Sequence, residues 1–194
     1  MPSWLDPIRQ ENMTTPITDA ERRAIQEMVD REAITQVLNN FSRTVDELDF
    51  EGLRGCFTED LVWDYGPGAG VVINHRDDLI AFVTEAYSPE REVTEDSLVR
   101  VRIHKTSHHI SNIRIDFEGP DTARSETYVF TWHEMVDNDR PGLVWGKWRD
   151  QWTRTPEGWR IHARKMIVSA TDNYFAIGYD AWTGEPLYKP DEPD

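Results

Sequence analysis

Residues 106–117 read Thr-Ser-His-His-Ile-Ser-Asn-Ile-Arg-Ile-Asp-Phe, and this run begins a series of four long segments with a two-residue period. The other segments span 122–136, 143–155 and 158–170. A two-residue period is typical of β-strands, because successive side chains of a strand point to opposite faces. The connections are short and contain Gly, Pro, Asp or Asn, which favour turns. Consecutive strands joined by short turns predict an antiparallel meander.

Before residue 99 the apolar side chains recur at helical spacing instead. The segment 18–21, Thr-Asp-Ala-Glu, has the form of a capping box that starts a helix. An apolar stripe follows over residues 25–48, and the sequence allows a break in the helix near Asp30. Further predicted elements are a short helix over 49–57, a strand over 61–65 and a helix over 76–87. Helices first and strands afterwards predict an α+β domain with its helices on one face of the sheet.

The two ends of the chain differ in composition from the segment between them. Residues 1–17 are rich in Pro, Asn and Thr, and we predict a flexible arm before a domain that spans 18–170. The tail, 171–194, carries several aromatic residues before an acidic end. Exposed clusters of aromatic side chains are unusual in a free tail, so we expect the tail to cover a pocket mouth or to pack on a neighbouring subunit.

Composition and charge limit the partners of this chain. Its 194 residues have a formal charge of −15, with no compensating basic stripe, so nucleic acid and anionic membrane are poor partners. Cys56 is the single cysteine, which favours a reducing compartment. The sequence shows no secretory signal and no stretch of about 20 apolar residues. We therefore predict a cytoplasmic protein. No metal motif, phosphate-binding glycine loop or nucleophile elbow is present, so we expect neither a metal nor a cofactor.

His108 is the leading candidate for a catalytic residue. It lies at the start of a predicted strand, which would hold its ring rigidly, and Asp46 lies near the end of the long predicted helix. A carboxylate there opposes the helix dipole and needs a partner, and an imidazole oriented by a carboxylate is a common general base. His109 is the competing candidate, because successive strand residues face opposite ways and the sequence does not decide which one faces inward.

A second candidate group is Trp148, Asp150 and Trp152, which alternate and therefore share one face of a strand. A carboxyl group between two indoles loses solvation, which would raise the pKa of Asp150 and make it a proton donor to a substrate. The alternative interpretation is that the two indoles pack on the helix and Asp150 lies near the end of the strand. Tyr65 and His133 likewise allow an ordinary structural role, as a half-buried tyrosine and a surface histidine.

An ordered series of motifs resembles the SnoaL-like branch of the nuclear transport factor 2-like superfamily. The motifs are Val-Asp-x-x-Asp-Phe-x-x-Leu over 45–53, Phe-Thr-Glu-Asp over 57–60, Trp-Asp-Tyr-Gly over 63–66, the Thr-Ser-His-His strand start and Thr-Pro-Glu-Gly-Trp-Arg-Ile over 155–161. The resemblance covers residues 20–168. It implies a cone, in which a curved, mostly antiparallel sheet wraps around a long helix and encloses a pocket.

Within this branch the chain is similar to scytalone dehydratase and lindane dehydrochlorinase, in which an aspartate orients a proton-transferring histidine. Asp46 and His108 match that pair, and Tyr65 and His133 match a tyrosine and a second histidine of the dehydratase. Trp63 and Arg164 correspond to pocket residues of the dehydrochlorinase. Two positions differ from the relatives: Val45 replaces a second tyrosine of the dehydratase and Phe41 replaces a lysine of the dehydrochlorinase.

The resemblance implies a cofactor-independent lyase or isomerase, dehydratase-like, acting on a hydrophobic cyclic carbonyl compound. The catalytic residues would be His108, Asp46, Tyr65 and His133. The substrate would be bound by Trp63, Phe41, Trp148, Asp150 and Arg164. We expect a homodimer or a homotrimer. Two alternatives stay open: the β subunit of an aromatic-ring hydroxylating dioxygenase, and a small-molecule binding protein without turnover.

Overall fold

The computed structural model describes residues 16–66, 71–88, 90–93, 102–136 and 138–173. These residues form three helices and six strands. The helices are α1 (Asp19–Asp46), α2 (Phe50–Arg54) and α3 (Arg76–Ala86), and the strands are β1 (Phe57–Asp64), β2 (Val72–Asn74), β3 (Ile103–Phe117), β4 (Thr122–Met135), β5 (Gly142–Thr155) and β6 (Gly158–Asp172). Residues 1–15 and 174–194 lie outside the described residues, so the arm and the tail stay predictions.

The six strands form one mixed sheet in the order β2-β1-β6-β5-β4-β3. Strands β3 to β6 form the predicted meander, and all neighbouring pairs are antiparallel except β1 and β6, which are parallel. Register shifts interrupt the β3–β4 and β5–β6 ladders, and such irregularities bend a sheet. The predicted α+β class and the cone of a curved sheet around a long helix are confirmed.

Helix α1 begins as predicted and runs without a break. The Thr18 hydroxyl accepts a hydrogen bond from the backbone N–H of Glu21, whose carboxylate accepts one from the backbone N–H of Thr18. The predicted apolar stripe is wrong at its N-terminal end, since Ile25, Met28 and Val29 are 49%, 70% and 56% exposed. The first buried residue of the helix is Asp30. The turns before it carry apolar residues that no described element covers.

The second half of α1 forms the centre of the core. Ile34, Leu38, Phe41 and Val45 are buried at spacings of three and four residues, which place them on one helix face. This face packs on the inner side of the sheet, where the rings of Phe41 and Trp148 meet edge to face with centroids 4.9 Å apart. Burial of large apolar side chains contributes about 1.5–3 kcal/mol each. The packing fixes where α1 ends, and this end lies beside β3.

A buried carboxylate near the middle of α1 ties the helix to the sheet. Asp30 accepts hydrogen bonds from Trp159 Nε1 at 3.1 Å, from Gln26 Nε2 at 3.1 Å and from Arg154 Nη2 at 2.6 Å. Burial raises the pKa of Asp30, but the hydrogen bonds from Arg154, Trp159 and Gln26 together outweigh burial and hold the pKa below its usual value. The charged form of Asp30 therefore stabilises the fold.

We expect Asp30→Asn to lower the free energy of unfolding by roughly 1.5–3 kcal/mol at pH 7, because charge-assisted hydrogen bonds are lost. A depressed folded-state pKa stabilises the protein above the unfolded-state pKa of about 3.9, and that stability is lost as pH falls through the folded-state value. In urea unfolding curves, the difference in free energy of unfolding between wild type and Asp30→Asn should therefore become smaller below pH 4. Asp116→Asn, which removes an exposed partner of Arg114, is the matched control and should shift the midpoint little. Equal shifts in both variants would contradict this role of Asp30.

Candidate active site

A cavity of about 120 Å³ lies between α1, α3 and the inner face of the sheet. A single water molecule needs only about 10–15 Å³ of such space, so the cavity has room for a small organic molecule. Most of its wall is apolar, and the wall includes Phe41, Trp63, Phe82, Val129, Trp148 and Met166. Polar groups are carried into the wall by the side chains of Tyr65, Tyr87, His108, Thr131 and His133, and by the indole N–H groups of Trp63 and Trp148. The cavity therefore suits an apolar molecule with few polar groups.

Asp46 and His108 meet at the wall of this cavity, where the end of α1 approaches β3. Asp46 Oδ1 lies 2.7 Å from His108 Nδ1, and Asp46 Oδ2 accepts a hydrogen bond from the His108 backbone N–H at 2.8 Å. Both oxygens of one carboxylate thus bind the same residue. This arrangement fixes the strand position and the ring orientation of His108 together.

The hydrogen bond to Asp46 also determines which nitrogen of His108 is free. An ionised carboxylate only accepts hydrogen bonds, so Nδ1 must carry the proton of the neutral imidazole. Nε2 then keeps its lone pair and is the basic atom. The Thr106 hydroxyl oxygen lies 3.4 Å from Nδ1 and is a more distant second neighbour. His108 is therefore arranged as a base with an oriented ring.

Aromatic rings surround the His108 imidazole and shield it from water. The ring centroids of Phe41, Trp148 and His133 lie 6.3, 6.1 and 6.3 Å from that of His108. The His108 side chain is 11% exposed. In a site of this kind, charge–charge interactions are stronger than in water, which increases the effect of Asp46 on a protonated imidazole.

His109 faces away from the cavity. It is exposed, its Nε2 lies 3.1 Å from the Ser107 hydroxyl, and its ring contacts Phe130. The alternation of strand side chains thus gives His108 the inward position. His109 is available as a matched control for any experiment on His108.

His133 is buried in the cavity wall, 5% exposed, on the strand next to β3. Burial lowers the pKa of His133 to about 3, with a smaller contribution from the neighbouring His108, while a hydrogen bond with the Gly142 backbone opposes the shift. His133 is therefore a neutral imidazole throughout the physiological pH range. It can exchange hydrogen bonds with a bound molecule without carrying a charge.

Tyr65 and the three ring residues predicted to bind substrate all lie in the cavity wall. Tyr65 packs against Trp63 and Phe82, with ring centroids 5.6 Å apart in each case. Phe41 and Trp148 line the cavity together with Trp63. The structure thus brings Tyr65, Trp63, Phe41 and Trp148 into one compartment with His108.

Asp150 and Arg164 are placed differently from the sequence prediction, because they do not line the cavity. Arg164 donates two hydrogen bonds to Asp150, from Nε at 2.7 Å and from Nη2 at 2.8 Å, and both side chains are fully buried. The guanidinium carbon lies 4.3 Å from the Phe41 ring centroid and 4.2 Å from that of Trp148. The pair therefore lies behind the aromatic wall and supports it, and the proton-donor role predicted for Asp150 has no support from this geometry.

Sequence reasoning missed Tyr87 and Thr131. Tyr87 directly follows α3, and the sequence shows it only as the last residue of the predicted helix. Thr131 is one of several similar residues of β4. The available signal for Thr131 was its pairing with His108 in the meander, since directly opposed strand residues share a face. Tyr87 gives no comparable signal, because its position depends on how α3 packs.

Within the described part of the chain, no cluster of three or more His, Cys, Asp or Glu side chains is arranged to hold a metal ion. Buried Cys56 is also unsuited to nucleophilic chemistry, because burial raises the pKa of its thiol to about 11. The polar side chains of the cavity wall, such as His108 and Tyr65, can transfer protons and form hydrogen bonds.

Comparison with known proteins agrees with the motifs and the architecture. The sequence profile of the SnoaL-like domain matches residues 26–165. The chain belongs to the SnoaL-like family. An uncharacterised protein from Mycobacterium tuberculosis (strain ATCC 25618 / H37Rv) is 26% identical over 149 residues, covering 76% of this chain and 91% of that protein.

Two solved structures share the SnoaL-like fold described above. A candidate scytalone dehydratase from Novosphingobium aromaticivorans DSM 12444 superposes with a TM-score of 0.65 at 21% identity, covering 86% of this chain and 98% of that one. The hexachlorocyclohexane dehydrochlorinase LinA-type3 from Novosphingobium barchaimii LL02 gives a TM-score of 0.64 at 15% identity, covering 77% and 92% of the two chains. At these identities the similarity establishes the fold.

Among the described residues of this SnoaL-like protein, no helix is long and apolar enough to span a bilayer.

Proposed function

We propose that this SnoaL-like protein is a cofactor-independent lyase or isomerase, dehydratase-like in its chemistry, that acts on an apolar cyclic carbonyl compound. The observation that carries the proposal is the double hydrogen bond of Asp46 to His108 at the wall of a mostly apolar cavity. Two proteins that share the fold are named for elimination reactions, a dehydration and a dehydrochlorination.

His108 Nε2 takes a proton from the carbon next to the carbonyl group, and the electron pair of that C–H bond moves toward the carbonyl oxygen. Asp46 stabilises the imidazolium that forms. In a dehydration, the electrons return, the C–O bond to a β-hydroxyl group breaks and the proton leaves with that oxygen as water. In an isomerisation, the proton returns to a different carbon. Each proton transfer by a positioned group typically contributes 10²–10⁴-fold to the rate.

Two further cavity residues have roles in this proposal. Tyr65 donates a hydrogen bond to the carbonyl oxygen, where negative charge develops. His133, as a neutral imidazole, hydrogen-bonds the leaving hydroxyl group or another oxygen atom of the substrate. The aromatic wall of Phe41, Trp63 and Trp148 holds the apolar body of the substrate. A mostly apolar cavity of this kind favours an uncharged molecule over a charged one.

Solvent deuterium exchange tests the proposal on a panel of model ketones. Bicyclic ketones, with and without a β-hydroxyl group, are incubated with the protein in D₂O and followed by ¹H NMR. We expect wild type and His109→Ala to catalyse exchange of the proton next to the carbonyl in at least one ketone, and His108→Ala not to do so. Water loss identifies a dehydratase and double-bond migration an isomerase. Exchange that persists in His108→Ala would rule out the proposed base.

The competing functions give different results in the same preparation. A homodimer or homotrimer that binds ketones without exchanging their protons is a binding protein. A chain that reaches a defined size only with an iron-bearing partner is a subunit of a larger oxygenase. Light scattering of the purified chain, measured beside the exchange assay, separates these outcomes from the proposed enzyme.

A further inference from the structure

An enolate oxygen that forms in this cavity is stabilised by each hydrogen-bond donor that reaches it. Charge that develops in an apolar site is stabilised mainly by preorganised hydrogen-bond donors, and each donor typically contributes strongly to the rate. The proposed function assigns one donor, Tyr65. A second donor would have to come from the remaining polar side chains of the wall, at the end of the cavity near His108.

Tyr87 meets the geometric requirement for such a donor. It follows α3 directly, is half-buried and lines the same cavity as His108. Its hydroxyl group interacts with Thr106, and its phenol lies close enough to feel the charge of Asp46. Thr106 precedes His108 by two residues in β3, so the two share a strand face, and its hydroxyl oxygen lies 3.4 Å from His108 Nδ1. The phenol therefore reaches the cavity at the end where the base lies.

The surroundings of Tyr87 also keep its proton in place. Burial raises the pKa of the phenol far above its usual value, the charge of Asp46 raises it further, and the interaction with Thr106 offsets part of the shift. A phenol that cannot ionise at neutral pH remains a hydrogen-bond donor during the reaction. Tyr87 therefore cannot replace His108 as the base, and its available chemistry is donation to an oxygen atom.

We propose that Tyr87 is a second substrate-contacting residue, and that its hydroxyl group and that of Tyr65 together bind the carbonyl oxygen of the substrate. Tyr65 packs against Phe82 of α3, and Tyr87 directly follows that helix, so both residues lie beside α3 in the cavity wall. The inference rests on the proposed function, and it narrows the ligand class to apolar molecules with an enol or ketone oxygen at one edge.

Binding of an enol analogue tests the role of Tyr87 separately from turnover. The probe is 2-naphthol, a bicyclic enol, and 2-methylnaphthalene is the matched probe without oxygen. We expect Tyr87→Phe to weaken 2-naphthol binding roughly three- to tenfold, as for the loss of one hydrogen bond, and to leave 2-methylnaphthalene binding unchanged. Tyr128→Phe is the control variant, because Tyr128 is 42% exposed on β4 and is absent from the cavity wall.

Each outcome of this experiment is informative. Unchanged 2-naphthol affinity in Tyr87→Phe, an equal loss for both probes, or no saturable binding of 2-naphthol to wild type would overturn the inference. Tyr65→Phe should show the same selective loss, and the double variant should no longer prefer 2-naphthol over 2-methylnaphthalene. The proposed function fails on different data, namely proton exchange that survives in His108→Ala. A protein without turnover can therefore still show whether Tyr87 binds the oxygen.

Discussion

Asp46→Asn is expected to lower turnover by roughly 10²–10⁴-fold while the protein stays folded. Both oxygens of Asp46 accept hydrogen bonds from His108, one from the backbone N–H and one from Nδ1. An asparagine side chain has the same shape but only one acceptor, and its NH₂ group must face one of the two donors. If it faces the ring, Nδ1 becomes the acceptor and Nε2 carries the proton, so the base is lost.

The double variant Asp46→Asn/His108→Ala distinguishes a cooperating pair from two independent residues. His108→Ala should lose at least as much activity as Asp46→Asn, and the double variant should be little worse than the worse single variant, because the two side chains act as one unit. The measurements are kcat and kcat/KM for any ketone that turns over, with circular dichroism as a check of folding. Additive losses, or wild-type activity in His108→Ala, would place the chemistry elsewhere.

Arg164→Met is expected to lower the free energy of unfolding by about 3–5 kcal/mol, which is the usual effect of removing one partner from a buried ion pair. The substitution leaves the fully buried Asp150 carboxylate without the two hydrogen bonds that it accepts from Arg164. It also removes the guanidinium group from the faces of Phe41 and Trp148. Urea unfolding at pH 7 measures the loss.

Replacing the whole pair should be much less harmful than replacing half of it. In Asp150→Leu/Arg164→Met neither charge of this buried pair remains, and apolar side chains of similar volume often substitute for such pairs at little cost. We therefore expect the double variant to recover most of the lost stability. Arg149→Met is the surface control, because its partner Glu126 keeps Lys147 and the Arg149 side chain is 60% exposed. A double variant less stable than Arg164→Met would contradict the expected energetics.

The regular part of the fold could be predicted from local sequence. The two-residue period located β3 to β6 within a few residues, the capping box located the start of α1, and the helical period located α3. Local signals suffice there because each element carries its own periodic pattern and its own end signals. The pairing of Asp46 with His108 was different, because no local pattern joins residues 62 positions apart; resemblance to a family supplied it.

The remaining features depend on contacts between distant segments. Strand β2 has three residues, too few to show a period. The parallel pairing of β1 with β6 joins β1 and β2 to the meander, between segments far apart in the chain. The sequence suggested a desolvated Asp150, yet its partner Arg164 becomes visible only when β5 and β6 are placed in register. Tyr87 enters the cavity through the packing of α3, which the sequence does not specify residue by residue.

One side of the cavity carries the hydrogen bonds between α1 and β3, and the other side carries apolar side chains of α3. This difference affects which residues can change during evolution without loss of the proposed base. Hydrogen bonds to the backbone and ring of His108 tie α1 to β3. Helix α3 contributes Leu79, Phe82 and Val83 as apolar side chains in the opposite wall. Substitutions among those three resize the cavity and leave the α1–β3 hydrogen bonds untouched. Gene duplicates of this protein can therefore acquire new ligands through mutations in α3, while inheriting an unchanged apparatus for moving protons.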